Sequence, residues 1–334
     1  MRIRAAPGKV VDRDMSGKIL DGKSRTKRRF FDAFAGMGGI RLGMEAAGFE
    51  CAGSCELDER ARKTYAENFQ NQSGFNQEPK YRDIRHMTHL PSRLDVLCAG
   101  FPCTPFSTIG RRQGFEDSEK GRLFFELIRL MGRSKPKAVL FENVKALVHH
   151  DGGRAFSAVL DTLSDLGYRI SWRVLNSADF GLAQSRNRVF IVGFRSPVFA
   201  KRFSFPEGKY GDSRSTIRSV MERDVSSEFD ATKAMAVGYI VKLKQRGVNK
   251  GGRFLPALHA PGDVSRTLVT NGQILIVDGK RLRRLTPRGC ARLQGFPDWF
   301  KLAPAKTVAY RQLGNSVPIP IVEAIGKEMS AAMV

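Results

Sequence analysis

The sequence predicts an α/β fold built on a mostly parallel sheet, and two observations carry this prediction. Residues 29–56 follow the order strand, glycine-rich turn, helix, strand and acidic residue, which is typical of a nucleotide-binding unit. Further apolar, β-rich runs at 94–103, 137–144 and 188–194 alternate with helical segments. Such alternation favours parallel strands that present ligands at their carboxyl ends.

Length and charge indicate a globular protein with a polyanionic partner. The chain has 334 residues, more than one compact domain usually contains, so we expect a large domain with a smaller companion. Lys and Arg number 56 against 33 acids, and the net charge of +23 favours nucleic acid, with general solubility as the alternative. We find neither a membrane-length apolar run nor a secretory signal, and therefore expect a cytoplasmic location.

The first unit begins with a strand over 29–34, followed by a glycine turn at 35–39. Glu56 lies twenty positions after Gly36, a spacing that suits a carboxylate bound to ribose hydroxyls. Arg41 stands where a nicotinamide-binding fingerprint needs a third glycine, which disfavours an oxidoreductase. Phe34 is a candidate for stacking on adenine or for the core, and Asp83 for an adenine contact or a helix cap.

The cysteines indicate neither disulfides nor a metal site. None of them shows CxxC spacing or a partnering histidine cluster, and most are expected to be buried. Cys103 differs, because Pro102 and Pro105 stiffen the loop around it and would hold its thiol at a fixed angle. A thiolate so held is suited to attack on an electron-poor ring carbon.

Polar residues near two further strands give this thiol a chemical context. Glu142 ends one strand, and Arg186 and Arg188 precede another. Alone, the glutamate fits a helix cap and the arginines a solvated edge. Together with Cys103 they match an attack on cytosine, in which a thiolate adds at carbon 6, an acid acts at N3 and a cation holds O2.

Six motifs then bring out a resemblance to the bacterial C5-cytosine DNA methyltransferases. They are FAGMGG, GFPCTPFS, ENV, QSRNR, LTPRGCARLQGFPDWF and YRQLGNSVPIP, and the resemblance covers residues 29–195 and 264–330. It implies a DNA (cytosine-5-)-methyltransferase with S-adenosyl-L-methionine as cofactor. It also implies the class I, Rossmann-like sheet of such enzymes, with the last strand pair antiparallel, and a smaller target-recognition domain.

The resemblance assigns roles to individual residues. Cys103 is the implied nucleophile, Glu142 the acid at N3 of a flipped base, Arg188 the contact to the base oxygen, and Arg186 a support for that site and a nearby phosphate. The implied cofactor-binding residues are Phe34, Gly36, Gly38, Glu56, Leu57, Asp83, Ile84, Pro102, Leu123, Asn315 and Val317. Two positions depart from the family pattern: Thr104 replaces the usual glutamine after the nucleophile, and Leu57 replaces a larger aromatic residue.

The expected organisation has four parts. A basic arm spans 1–28, the catalytic and cofactor-binding domain 29–195, the target-recognition domain 196–304, and a segment that completes the catalytic domain 305–334. The expected DNA-binding residues are Lys242, Lys244, Arg246, Lys250, Arg253 and Arg266. A solvated loop is the alternative interpretation of this basic cluster.

The expected substrate is double-stranded DNA, methylated by a monomer with no membrane partner and no metal. A restriction endonuclease acting separately on the same target is an expected counterpart. Two alternatives remain open at this point. A transfer-RNA cytosine-5 methyltransferase would share the motifs, and a non-catalytic DNA-binding protein would share the fold.

Overall fold

The protein has a central sheet of six strands, seen here in a computed structural model. The structure describes residues 27–69, 81–102, 119–208, 214–232, 257–272 and 274–334. The strands of this sheet are β1 Arg29–Ala33, β2 Glu50–Cys55, β3 Val96–Gly100, β4 Ala138–Val144, β5 Arg169–Asn176 and β6 Asn187–Phe194. Their order is β2-β1-β3-β4-β6-β5.

The first four strands run parallel, whereas β6 pairs antiparallel with both β4 and β5. This confirms the predicted α/β sheet with its antiparallel last pair. Parallel strands need a crossover connection between them, and helices provide it here. The helices are α1 Gly39–Ala46, α2 Glu59–Phe69, α3 Glu119–Ser134, α4 Arg154–Asp165, α5 Pro197–Arg202, α6 Pro287–Leu293, α7 Lys306–Asn315 and α8 Ile319–Ala332.

Both faces of the sheet are covered, because alternate strand side chains point to opposite sides. Phe31, Leu97 and Phe141 belong to a buried cluster with side chains of α3 and α4. Phe30 and Leu140 belong to a second cluster with side chains of α1 and α8. The strands therefore carry continuous apolar runs, as expected for a sheet buried on two faces.

The C-terminal helix α8 packs against α1, so the end of the chain returns to its first unit. Two glycines make the approach close. A Cβ atom on Gly43 would lie 2.6 Å from the Cβ of Val322, and one on Gly326 would lie 2.7 Å from the Cβ of Ala47. The packing of α8 thereby fixes the position of the glycine turn, which immediately precedes α1.

A second sheet has three strands, β7 Ala257–His259, β8 Ile274–Asp278 and β9 Arg281–Arg284. β7 pairs parallel with β8, and β8 pairs antiparallel with β9. Ile276, Leu285 and Phe300 join a third buried cluster, together with residues of α6 and α7. In the part of the chain that the structure describes, no helix has the length and apolarity to cross a bilayer.

A buried carboxyl group lies within β1. Asp32 is fully buried, and neither of its oxygens has a hydrogen-bond partner of good geometry among the described residues. Burial raises the pKa of Asp32 well above its usual range and Glu56 adds to the rise, while the backbone N–H and guanidinium of Arg41 oppose it. The folded protein therefore holds this proton more tightly than the unfolded chain does.

Asp32→Asn is accordingly expected to raise the free energy of unfolding at neutral pH. A raised folded-state pKa means that stability falls as the pH rises from the ordinary aspartate range to that pKa, and asparagine removes this loss. The gain should shrink as the pH approaches ~4. Thermal unfolding of both proteins across this pH range measures it.

The matched control is Asp95, whose carboxylate accepts hydrogen bonds from Arg29 N at 2.8 Å and Lys137 Nζ at 2.7 Å. Because this carboxylate is partnered, Asp95→Asn should lower the free energy of unfolding by about 1–3 kcal/mol. Equal effects of the two substitutions would contradict the assignment of Asp32 as a buried carboxyl group whose ionised form the fold disfavours.

Candidate active site

A cavity of about 720 Å³ opens at the carboxyl ends of the parallel strands. Its walls include residues 34–37 after β1, 55–58 from the end of β2, 100–102 from the end of β3, 142–144 in β4, and 314–317 from the end of α7 onward. Ligands of parallel α/β sheets bind at this edge, since the loops there converge. The cavity is therefore the candidate active site.

Most of the predicted cofactor residues line this cavity. They are Phe34, Gly36, Glu56, Leu57, Ile84, Pro102, Leu123, Asn315 and Val317. Gly38 and Asp83 are not among the lining residues. Gly38 instead packs closely on α2, where an added Cβ would lie 2.3 Å from the ring of Phe69.

Asp83 lies at the start of a short 3-10 helix, Ile84–His86, rather than at the end of a strand. Its side chain accepts a hydrogen bond from Arg85 N at 2.9 Å and forms an ion pair of 2.7 Å with the Arg85 guanidinium. These contacts are those of a helix cap, one of the two alternatives, and the contact of Asp83 to adenine stays a prediction. Nearby Ile84 is buried and forms part of the cavity wall.

Glu56 organises the glycine turn as well as facing the cavity. One carboxylate oxygen accepts from Gly36 N at 2.7 Å and the other from Asp58 N at 2.8 Å. Burial raises the pKa of Glu56, and these backbone N–H groups oppose the rise. The adjoining Phe34 has a left-handed backbone, φ 59°, at the sharp exit from β1.

Glu142 and Arg188 form a nearly buried ion pair in the cavity. Arg188 Nε lies 2.9 Å from Glu142 Oε1, and both side chains are only 12% exposed. They are carried by the neighbouring antiparallel strands β4 and β6. Burial raises the pKa of Glu142, and Arg188 and then Arg186 oppose this rise. The pair thus offers an acid and a cation side by side in a poorly solvated site.

Asn143 connects this pair to the segment that leads to Cys103. Its Nδ2 donates to Phe101 O at 3.0 Å, which ties the residues after β3 to the end of β4. Gly100 faces Glu142 across the strands, since an added Cβ would lie 3.6 Å from Glu142 Oε2. Pro102, which directly precedes Cys103, lines the same cavity.

Arg186 lies deeper than Arg188. It is 1% exposed, and its guanidinium donates to the carbonyl oxygens of Leu268, Gly314 and Ser316, each at 2.8 Å. Burial, reinforced by Arg188, lowers the pKa of Arg186 to about 9, so the group stays charged at neutral pH. These three bonds make Arg186 part of the framework that supports the site, and the contact to a nearby phosphate stays a prediction.

Comparison with known proteins identifies the family. The family model described as C-5 cytosine-specific DNA methylase matches residues 28–331. The chain belongs to this family. It is a DNA (cytosine-5-)-methyltransferase, as the six motifs predicted, and the two alternatives are less well supported.

Curated relatives agree with this assignment. The chain is 35% identical to the Type II methyltransferase M.HhaI of Haemophilus parahaemolyticus over 327 residues, covering 93% of this chain and 97% of the relative. It is 35% identical to M.HpaII of Haemophilus parainfluenzae over 331 residues, covering 91% and 90%. Both alignments therefore span nearly the whole of each chain.

Solved structures show the same fold at much lower identity. The Entamoeba histolytica methyltransferase EhMeth superposes with a TM-score of 0.70 at 16% identity, covering 93% of this chain and all of that one. The S. pombe Dnmt2 methyltransferase gives a TM-score of 0.68 at 18% identity, covering 92% and 98%.

Several predicted site residues of this methyltransferase lie outside the described residues. They are Cys103, Lys242, Lys244, Arg246, Lys250 and Arg253. Arg266 is described and exposed, and it adjoins Ser265, whose carbonyl accepts from Ser185 N at 2.7 Å in the QSRNR motif. The structure therefore brings Arg266 close to the chain segment that carries Arg186 and Arg188.

Two residues of α7 that line the cavity, Arg311 and Gln312, were not predicted from the sequence. Gln312 accepts a hydrogen bond from Thr64 Oγ1 at 3.1 Å and donates to Arg60 O at 3.0 Å, which fastens α7 to α2. It is a lining residue, as is Arg311. Both belong to the YRQLGNSV motif, and their place in that motif was the signal available from the sequence. Among the described residues, no group of His, Cys, Asp or Glu could hold a metal ion.

Proposed function

We propose that this cavity binds S-adenosyl-L-methionine together with a cytosine flipped out of duplex DNA, and that Cys103 attacks that base. The observation that carries the proposal is the Glu142–Arg188 pair, 2.9 Å apart, in the same cavity as the Glu56 carboxylate. The acid and the cation proposed to contact the base therefore line the same cavity as Glu56, the carboxylate proposed to bind the ribose.

The residues present fit the cofactor. Phe34, Ile84 and Leu123 supply apolar wall for an adenine ring, and Glu56 keeps acceptor capacity for ribose hydroxyls beyond its two backbone bonds. Asn315 adds a polar group to the cavity lining. When bound, the cofactor supplies an electrophilic methyl group on a sulfonium. Leu57, which is exposed at the rim, covers less of the site than an aromatic residue would.

The chain's own residues carry the activation of the base. The Cys103 thiolate uses an electron pair to form a bond to carbon 6, which places negative charge on the ring. Glu142 stabilises that charge by donating a proton to N3. Arg188 holds the base oxygen while remaining paired with Glu142. Carbon 5 becomes nucleophilic and takes the methyl group. Solvent water then accepts the proton of carbon 5, the C5–C6 double bond re-forms as the thiolate leaves, and the N3 proton returns to Glu142. A raised pKa of Glu142 serves this step, because it favours the proton-bearing form.

The proposed organisation assigns DNA binding to the parts around the catalytic domain. Residues 196–304 form the target-recognition domain, residues 305–334 complete the catalytic domain, and the basic arm at 1–28 contacts phosphate without sequence preference. The relatives are named Type II methyltransferases, and a separate restriction endonuclease with the same target is the proposed counterpart. We propose a monomer in the cytoplasm.

The test is methyl transfer from S-adenosyl-L-methionine to duplex DNA, run beside total transfer RNA. We expect label in duplex DNA alone, and bisulfite sequencing of host DNA after expression should place every methyl group on cytosines within one short sequence. Transfer to RNA with unmodified DNA would overturn the proposed substrate. Calorimetry with the cofactor and the purified protein checks the cofactor assignment separately.

A further inference from the structure

A second cavity, of about 530 Å³, lies beside the active site and is strongly basic. Among the residues that the structure describes, its lining includes Arg60, Arg284, Lys306 and Arg311 but only one carboxylate, Glu228. Arg311 lines both cavities, so the two are adjacent. Four cations around one acid give a local field that attracts anions.

Two of these cations, Lys306 and Arg311, form ion pairs in which both side chains are exposed. Lys306 pairs with Glu228, but the two side chains are 45% and 51% exposed. Arg311 pairs with Asp58 at 3.2 Å, with comparable exposure of both groups. Exposed pairs of this kind contribute little to stability, so a phosphate can take the place of the carboxylate at small cost.

Neutral groups of the lining suit a nucleic-acid backbone. Thr270, Asn271 and Thr307 are exposed hydrogen-bonding residues around the opening. Lys306 Nζ lies 4.9 Å from the centre of the Phe229 ring, which keeps the ammonium group at the cavity wall. Lysine, arginine and hydroxyl side chains are the groups that proteins commonly use to contact DNA phosphates.

The position of the cavity matches the predicted path of DNA. Glu228 and Phe229 lie shortly before residues 242–253, which contain the predicted basic DNA-reading cluster. Lys306 begins α7, the helix that ends at the active-site residue Asn315. Because Arg311 lines both cavities, duplex DNA whose flipped base enters the active-site cavity lies beside this opening.

We propose that this second cavity is a subsite for a backbone phosphate of the DNA, separate from the pocket for the flipped base. The inference rests on the proposed function, because it takes duplex DNA as the substrate. A contact to phosphate carries no sequence information, so the subsite contributes affinity and register rather than target choice.

The experiment compares Lys306→Ala and Glu228→Gln with the wild type. Affinity for a labelled duplex of mixed sequence is measured by fluorescence anisotropy over a series of salt concentrations. Lys306→Ala should weaken binding several-fold at low salt and reduce the slope of log K against log salt by about 0.9, the value of one phosphate contact. Glu228→Gln breaks the same ion pair but removes a competing acid, and should tighten binding.

Lys327→Ala is the matched control, because Lys327 is also exposed and pairs with a glutamate, Glu323, at 2.6 Å. It lies on α8 and should leave the slope unchanged. A merely structural role of the Lys306–Glu228 pair would make both of its variants weaken binding alike, and that result would overturn the proposal. A wild-type slope in Lys306→Ala would do the same.

A free anion is the other source of a phosphate group. If the cavity serves the DNA backbone, Lys306→Ala should reduce the salt slope of DNA binding, and inorganic phosphate should at most compete with DNA at that site. Saturable binding of inorganic phosphate to the wild type without DNA, lost in Lys306→Ala while the salt slope of DNA binding stays at the wild-type value, would instead assign the cavity to a free anion. Methyl transfer to the same duplex tests the proposed function separately from the phosphate subsite. If the wild type methylates DNA but Lys306→Ala has the wild-type slope of log K against log salt, only the subsite is refuted.

Discussion

Replacing Cys103 with serine is expected to lower the rate of methyl transfer by more than about 10³-fold while leaving cofactor binding intact. A neutral hydroxyl is a far weaker nucleophile than a thiolate at neutral pH. The cofactor is held in the proposal by Phe34, Glu56 and Asn315, so calorimetry of Cys103→Ser with S-adenosyl-L-methionine should match the wild type.

The covalent step has a direct test with duplex DNA that carries 5-fluorocytosine at the target. Release of the enzyme requires loss of a proton from carbon 5, and fluorine cannot leave as a cation. The wild type should therefore form an adduct that survives denaturing electrophoresis, and Cys103→Ser should form none. Peptide mapping of the adduct identifies the attacking residue.

Cys98 provides the control for this experiment. It is fully buried in β3, and burial raises the pKa of its thiol well above the usual range, so the thiolate is scarce and inaccessible. Cys98→Ala should keep the adduct. An adduct peptide containing Cys98, or an adduct formed by Cys103→Ser, would show that the nucleophile has been assigned to the wrong residue.

The central sheet was predictable from the sequence because its signals are local. The glycine turn before α1 and the apolar runs of β3, β4 and β6 each lie within a few residues. Parallel strands then require that their ends share one edge, which is why Glu56, Pro102 and Glu142 line one cavity. A local pattern together with topology was sufficient there.

The second sheet gave no such signal. β9 has the sequence RLRR, and its Arg283 is fully buried, with Nε bound to Asp278 Oδ2 at 2.7 Å. Charged residues rarely occupy a core without a partner, and the partner here is five positions away in β8. Composition alone does not predict a buried strand here, and only the pairing of β8 with β9 explains how the arginine is accommodated.

Arg186 shows the same limit within a recognised motif. Sequence order placed it beside Arg188 and suggested similar contacts. Its acceptors are Leu268, Gly314 and Ser316, which lie 82, 128 and 130 positions further along the chain. Contacts of that separation depend on the complete fold, so a local pattern could not reveal that Arg186 is bonded to two distant segments, one at Leu268 and one at Gly314 and Ser316.

Substitution by lysine should therefore affect different properties at the two arginines, stability at Arg186 and the rate of methyl transfer at Arg188. Arg186→Lys is expected to lower the free energy of unfolding by about 3–5 kcal/mol, because one ammonium group cannot reproduce three guanidinium bonds in a buried site. That loss is a large part of the ~5–15 kcal/mol that typically stabilises a protein.

Arg188→Lys keeps a charge near Glu142 and should change stability little, but it should slow methyl transfer because the planar contact to the base is lost. Urea unfolding and initial rates on duplex DNA measure the two effects independently. An Arg186→Lys protein that unfolds like the wild type but transfers methyl groups slowly would contradict this division, since it would place Arg186 in contact with the base instead of in the framework that holds the cavity together.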